Sequence, residues 1–233
     1  NRVKMPRRTN LVAAGAQVEM VEHVLAALAG LGIDNCEVRV DAAEMPGCDG
    51  SAQAFVAALD EVGTVIQDVP CCPLVVEDVL RVGTDDAWIE ARPNAAGELS
   101  IKYELDYGTT SPIGRQSFEL TVSPAAFRRE LAASRTFLTD HEARQLKAQG
   151  LGGRVTPRDL LVIGAAGPIN NPLRFPNECA RHKALDVVGD LALAGAPLHA
   201  DIVAYRSGHE LNAELVRRLL AHELQTTCAS RCA

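Results

Sequence analysis

The segment Arg181-His182-Lys183-Ala184-Leu185-Asp186-Val187-Val188-Gly189-Asp190 carries His182, Asp186 and Asp190 at i, i+4 and i+8, which on a helix is one face. An imidazole and a carboxylate one turn apart can reach a single divalent cation, and mixed nitrogen and oxygen ligation suits zinc. Two ligands need a third, and the same spacing also fits a solvated helix face with intrahelical pairs. Glu22-His23 precedes Val24-Leu25-Ala26-Ala27-Leu28, so two ionisable side chains enter an apolar helical stretch where burial without partners is costly. That pair reads either as a metal ligand, His23, beside a base, Glu22, or as a helix edge emerging at the surface. Ser207-Gly208-His209 falls between a strand and a helix, a place where loops carry function on a rigid scaffold. His209 there could protonate a leaving group, or be a solvated turn residue. In Arg135-Thr136-Phe137 the Thr136 hydroxyl could donate to an oxyanion, although such threonines commonly pair with local backbone. His141, His199 and His222 read as structural, and Gly150-Leu151-Gly152-Gly153 matches no nucleotide-cradling loop and reads as a flexible turn.

These side chains need elements to hold them. Residues 19–30 are expected to form an apolar helix, and residues 33–40, alternating apolar with polar, a half-buried strand. Turn residues 44–50 lead to Ser51, expected to cap a helix running through Glu61 with Ala54, Phe55, Ala58 and Leu59 on its apolar face. Cys71-Cys72-Pro73 is the best boundary, which gives one domain over 1–71 and a second over 72–233. Residues 74–82, 88–92, 99–107 and 116–122 are β-rich and are expected as an antiparallel meander. Ser123-Pro124 starts a helix, Asp140 another, 160–163 is a buried strand, 177–195 the longest helical pattern, 198–205 a strand and 210–224 a closing helix. Both halves mix helices with antiparallel strands, so the fold class is α+β.

Composition narrows the function classes. The 233 residues hold 23 Lys+Arg against 30 Asp+Glu, a net charge of −7, with 47% hydrophobic residues, an ordinary globular balance. An acidic chain with no Lys/Arg block argues against a nucleic-acid partner. Apolar runs such as 21–31, interrupted by Glu22 and His23, fall short of the ~20 residues a membrane span needs. The 7 cysteines include adjacent Cys71-Cys72 and no CxxC pair, so neither a disulfide framework nor a cysteine zinc site is expected, and reduced, cytoplasmic thiols are the default. The start, Asn1-Arg2-Val3-Lys4, has neither an initiator Met nor a following apolar segment, which suggests a fragment without a secretory signal.

The motifs occur in a fixed order: Val21-Glu22-His23 with Ala26-Ala27-Leu28-Ala29-Gly30-Leu31-Gly32-Ile33-Asp34-Asn35, Glu44-Met45-Pro46, Asp49-Gly50-Ser51, Ser134-Arg135-Thr136-Phe137, Leu173-Arg174-Phe175, Arg181-His182-Lys183-Ala184-Leu185-Asp186, Gly189-Asp190, and Ser207-Gly208-His209 with Leu211-Asn212. In that order, from Thr9 to about Leu220, the chain resembles the UDP-3-O-acyl-N-acetylglucosamine deacetylase family of lipid A synthesis. The resemblance implies zinc ligands His23, His182 and Asp186, with water in the fourth place. It further implies Glu22 as the base for the attacking water, and His209 as the acid for the departing amine, oriented by Asp190. Thr136 would be the oxyanion donor, and Lys183 and Phe137 substrate contacts. It implies two similar α+β domains, each a mainly antiparallel sheet packed with helices, with the active site between them and an apolar passage for an acyl chain. It also implies an N-terminal part of the first domain that this chain lacks. The partner would be a small acylated UDP-amino sugar, and the protein a cytoplasmic monomer. The alternative is a catalytically silent homologue that binds a nucleotide sugar or a protein partner.

Overall fold

The computed structural model describes residues 2–3, 8–150 and 160–231, and for 2–3 and 224–231 the backbone alone. Most of the Gly150–Gly153 run therefore lies outside the described residues. Along the chain, β1 (Arg2–Val3), β2 (Asn10–Ala13) and β3 (Ala16–Val18) form a three-stranded antiparallel sheet that leads into α1 (Glu22–Gly30) and α2 (Gln53–Val62). β4 (Leu74–Val75), β5 (Leu80–Thr84), β6 (Ala87–Arg92), β7 (Leu99–Asp106) and β8 (Arg115–Thr121) follow. The remainder is α3 (Pro124–Glu130), β9 (Phe137–Thr139), α4 (Asp140–Ala148), β10 (Leu161–Gly164), β11 (Gly167–Pro168), α5 (Glu178–Leu191), β12 (Leu198–Tyr205) and α6 (His209–Arg231). The fold is α+β. Local chemistry starts two of the helices: Ser123 Oγ accepts from the Ala126 N–H with Pro124 next in line, and Thr139 with Glu142 makes a capping box.

The main sheet has the order β5-β6-β12-β7-β8, with β4 parallel to the start of β12. β12 runs antiparallel to β6 and parallel to β7. The expected meander is thus corrected, because the last strand inserts between β6 and β7. Leu198, Ala200, Ile202 and Ala204 of β12 are all buried, and a strand this apolar gains most from the centre of a sheet. Asn94, on the 93–98 connection that bridges the gap, donates to Asp201 on β12 at 2.6 Å. α5 covers β7 and β8, α6 covers β5 and β6, and the core lies between these helices and the sheet.

α1 packs directly on α5. The approach depends on Gly189, where a Cβ would collide with the Glu22 carbonyl oxygen, while Gly30 faces the Phe127 ring of α3 in the same way. This contact sets the first turn of α1 against the last turns of α5.

Three expectations change. Residues 33–40 form no strand: Val38 and Val40 are 45% and 42% exposed. A strand needs a ladder partner, and none of the described residues supplies one. α2 begins at Gln53 rather than directly after Ser51, although Ser51 Oγ accepts from the Gln53 N–H at 3.2 Å. Its inward face is Phe55, Val56 and Leu59, with Ala54 and Ala58 exposed. The β-rich stretch 74–82 splits at the exposed Glu77-Asp78 into β4 and β5.

Candidate active site

α5 presents Glu178, His182, Asp186 and Asp190 at successive i+4 positions, all buried. α1 brings His23 to meet them: His182 Nε2 is 3.4 Å and His23 Nε2 3.9 Å from Asp186 Oδ1, and the three side chains offer ligand atoms within 4.8 Å of one another. Asp186 Oδ1 is buried without a hydrogen-bond donor, while Oδ2 accepts from Lys183 Nζ at 2.7 Å. His182 Nδ1 sits 3.1 Å from the Ser134 carbonyl, which only an N–H can satisfy, so Nε2 carries the lone pair. Burial, and then His182 beside it, pulls His23 down to about 4. Burial also lowers His182 despite Asp186, so both imidazoles are neutral near pH 7. For Asp186 burial opposes ionisation, but His182, Lys183 and His209 hold it well below the usual carboxylate range. Two neutral nitrogens and a carboxylate oxygen, with ligand atoms within 4.8 Å of one another, form a ligand set that could hold a divalent metal ion.

Titratable groups flank this set. Burial pushes Glu22 up to about 7 against the pull of His209, and its Oε2 accepts from the Thr9 N–H at 2.9 Å. His209 opens α6, reached through Arg206, whose φ of 50° turns the chain out of β12, and through Ser207, whose carbonyl accepts from Tyr103 OH. His209 Nδ1–H donates to Asp190 Oδ2 at 2.8 Å. Burial works against charge on His209, but Asp190 and Asp186 outweigh it and raise its pKa. Asp190, with no exposed surface, also accepts from Asn212 Nδ2 at 2.8 Å and Thr9 Oγ1 at 2.6 Å.

Thr136 lies just before β9, with Oγ1 3.1 Å from His182 Nε2 and 3.0 Å from the Gly50 carbonyl. The Asp49-Gly50-Ser51 turn aims that carbonyl: Asp49 accepts from Ser51 N–H, Ser51 Oγ and Arg174 Nη2. Phe137 sets its ring edge-on to His182 at 6.2 Å and to Tyr107 at 6.0 Å. Lys183 keeps its ammonium on Asp186; burial opposes the charge, but Asp186 holds it on.

Sequence reasoning passed over several residues of this network. Glu178 is the α5 stripe extended one turn towards its N-terminus, a signal that was there to read. Its carboxylate accepts from Arg135 Nε at 2.8 Å, Arg135 Nη2 at 3.0 Å and the backbone N–H groups of Arg135 and Arg174, which fixes the loop that carries Thr136. Thr9 had no signal, being 181 positions from the Asp190 it touches.

Among the described residues no helix is long and apolar enough to cross a membrane. The family model for UDP-3-O-acyl N-acetylglycosamine deacetylase (LpxC) matches residues 1–221. A protein of Anaeromyxobacter sp. (strain Fw109-5) named UDP-3-O-acyl-N-acetylglucosamine deacetylase is 41% identical over 214 residues, 91% of this chain and 69% of the relative. A protein of the same name from Brucella ovis is 40% identical over 217 residues, 92% of this chain and 75% of the relative. With a match over nearly the whole length and relatives at this identity, the chain belongs to the UDP-3-O-acyl N-acetylglycosamine deacetylase family.

Proposed function

We propose that this protein is an amidohydrolase of lipid A biosynthesis that removes acetate from UDP-3-O-acyl-N-acetylglucosamine, with Zn2+ held by His23, His182 and Asp186. The observation that carries the reading is the convergence of these three side chains, with Asp186 Oδ1 buried and without a hydrogen-bond partner. Zinc, when bound, polarises the acetamide carbonyl and acidifies water. Glu22, pushed up to about 7, takes the proton from the attacking water, since a base works best with a pKa near the working pH. The water oxygen bonds to the acetamide carbon, and the Thr136 hydroxyl, turning from Gly50, donates to the oxyanion. His209, kept protonated by Asp190, gives its proton to the nitrogen as the C–N bond breaks, leaving acetate and a free amine. Lys183 and Phe137 contact the substrate beside the ligands.

The same reading takes the chain as two units divided near Cys71/Cys72, with the site between them, acting as a monomer on a small molecule. The free thiols of Cys36, Cys48, Cys71, Cys72 and Cys179 favour a reducing, cytoplasmic setting. The test is Glu22→Ala beside His23→Ala and Asp186→Ala, measured by bound metal and acetate release. Glu22→Ala is expected to keep its metal and lose on the order of 10²–10⁴ in turnover, whereas the other two lose the metal. Full turnover in Glu22→Ala would remove the assigned base.

A further inference from the structure

Resting on that reading, we propose that Thr9 is a positioning residue whose hydroxyl sets the Asp190–His209 pair while its backbone N–H holds Glu22. Thr9 has no exposed surface and uses three groups in three directions. Its N–H donates to Glu22 Oε2 at 2.9 Å, its hydroxyl donates to Asp190 Oδ1 at 2.6 Å, and its carbonyl accepts from the Val21 N–H, just ahead of α1, at 3.1 Å. Glu22 opens α1 and Asp190 lies in the last turn of α5, so one residue references the start of one helix to the end of the other.

The hydroxyl has a defined task. Asp190 Oδ2 accepts from His209 Nδ1–H and Asn212 Nδ2, both at 2.8 Å. Anchoring Oδ1 stops the carboxylate rotating about its Cβ–Cγ bond, and so holds Oδ2, and with it the imidazole, in one direction. The two arms are also separable. Any residue other than proline keeps the N–H on Glu22, while the hydroxyl is removed by Thr9→Val at nearly constant volume.

The experiment compares Thr9→Val and Thr9→Ser in the metal-loaded protein, with Thr9→Ala as a second hydroxyl-free variant if Val does not fold. The readouts are kcat and KM for acetate release from UDP-3-O-acyl-N-acetylglucosamine, bound metal, melting temperature, and the NMR resonance of the His209 Nδ1 proton. The hydroxyl-free variant is expected to keep its metal, lower kcat by about 10- to 100-fold with KM nearly unchanged, and shift or broaden the His209 resonance. Thr9→Ser is expected to restore both. Parent kcat with an unmoved resonance, a loss seen only in melting temperature, or a kcat loss that Ser fails to restore would each overturn the role. Glu22→Ala and His209→Ala are assayed alongside. If they are inactive while the hydroxyl-free variant keeps parent kcat, only the Thr9 role falls. If they turn over like the parent, the reading of the site falls and Thr9's role with it.

Discussion

Glu178 and Arg135 show how a buried charge can be kept without belonging to the reacting groups. Neither is more than 2% exposed, and the carboxylate accepts from the Arg135 guanidinium and from two backbone N–H groups. Burial opposes its ionisation, but the Arg135 hydrogen bond and the two N–H groups outweigh it and hold Glu178 below its ordinary 4.5. A lowered folded-state pKa gives stability that is complete above the unfolded value and is lost as pH falls through the folded one. Glu178→Gln leaves Arg135 charged and uncompensated, and is expected to cost about 3–5 kcal/mol near pH 7. The gap to the parent should narrow as pH falls through the carboxylate range, because the parent then loses the same charge. Urea unfolding of both proteins across that range checks it; a gap independent of pH would mean that the carboxylate charge is not what stabilises this loop.

The helix pair α1 and α5 is the unit that turns separate motifs into a site. His23 reaches Asp186 because the backbones approach closely enough for Gly189 to lie under the Glu22 carbonyl. Gly189→Ala must push the helices apart, since the obstructing atom is backbone and cannot swing away. Overpacking of this kind costs about 1–3 kcal/mol, and the displaced α1 carries His23 and Glu22 with it. The variant is therefore expected to melt lower and also to bind an added divalent cation more weakly than the parent, measured by calorimetry. An unchanged affinity in a destabilised protein would show that α1 can slide without moving His23.

Across the molecule, burial is uneven. The central sheet and its helices enclose the core, yet Val62, Val65, Ile66 and Val69, in and after the end of α2, are 79–94% exposed, so they contribute almost nothing to burial. Lysine at both Val65 and Ile66 is expected to change unfolding free energy by less than about 0.5 kcal/mol; a larger loss in thermal melting would mean that this stretch is covered in solution. Legibility in the sequence followed the range of the forces involved. The α5 stripe, the Ser123 cap, the helix start at Asp140 and β12 could be read locally, because helix and strand periods and capping hydrogen bonds act within a few residues. Residues 33–40 alternate like a strand but form a loop exposed from Asp34 onward, because a ladder needs a partner that no local pattern supplies. The insertion of β12 between β6 and β7, the meeting of His23 with His182 and Asp186, and the bridging of Glu22 and Asp190 by Thr9 join positions as much as 181 apart. Those arrangements follow from close packing of α1 on α5 and from burial of the apolar face of β12, and such forces operate only once the whole chain is folded.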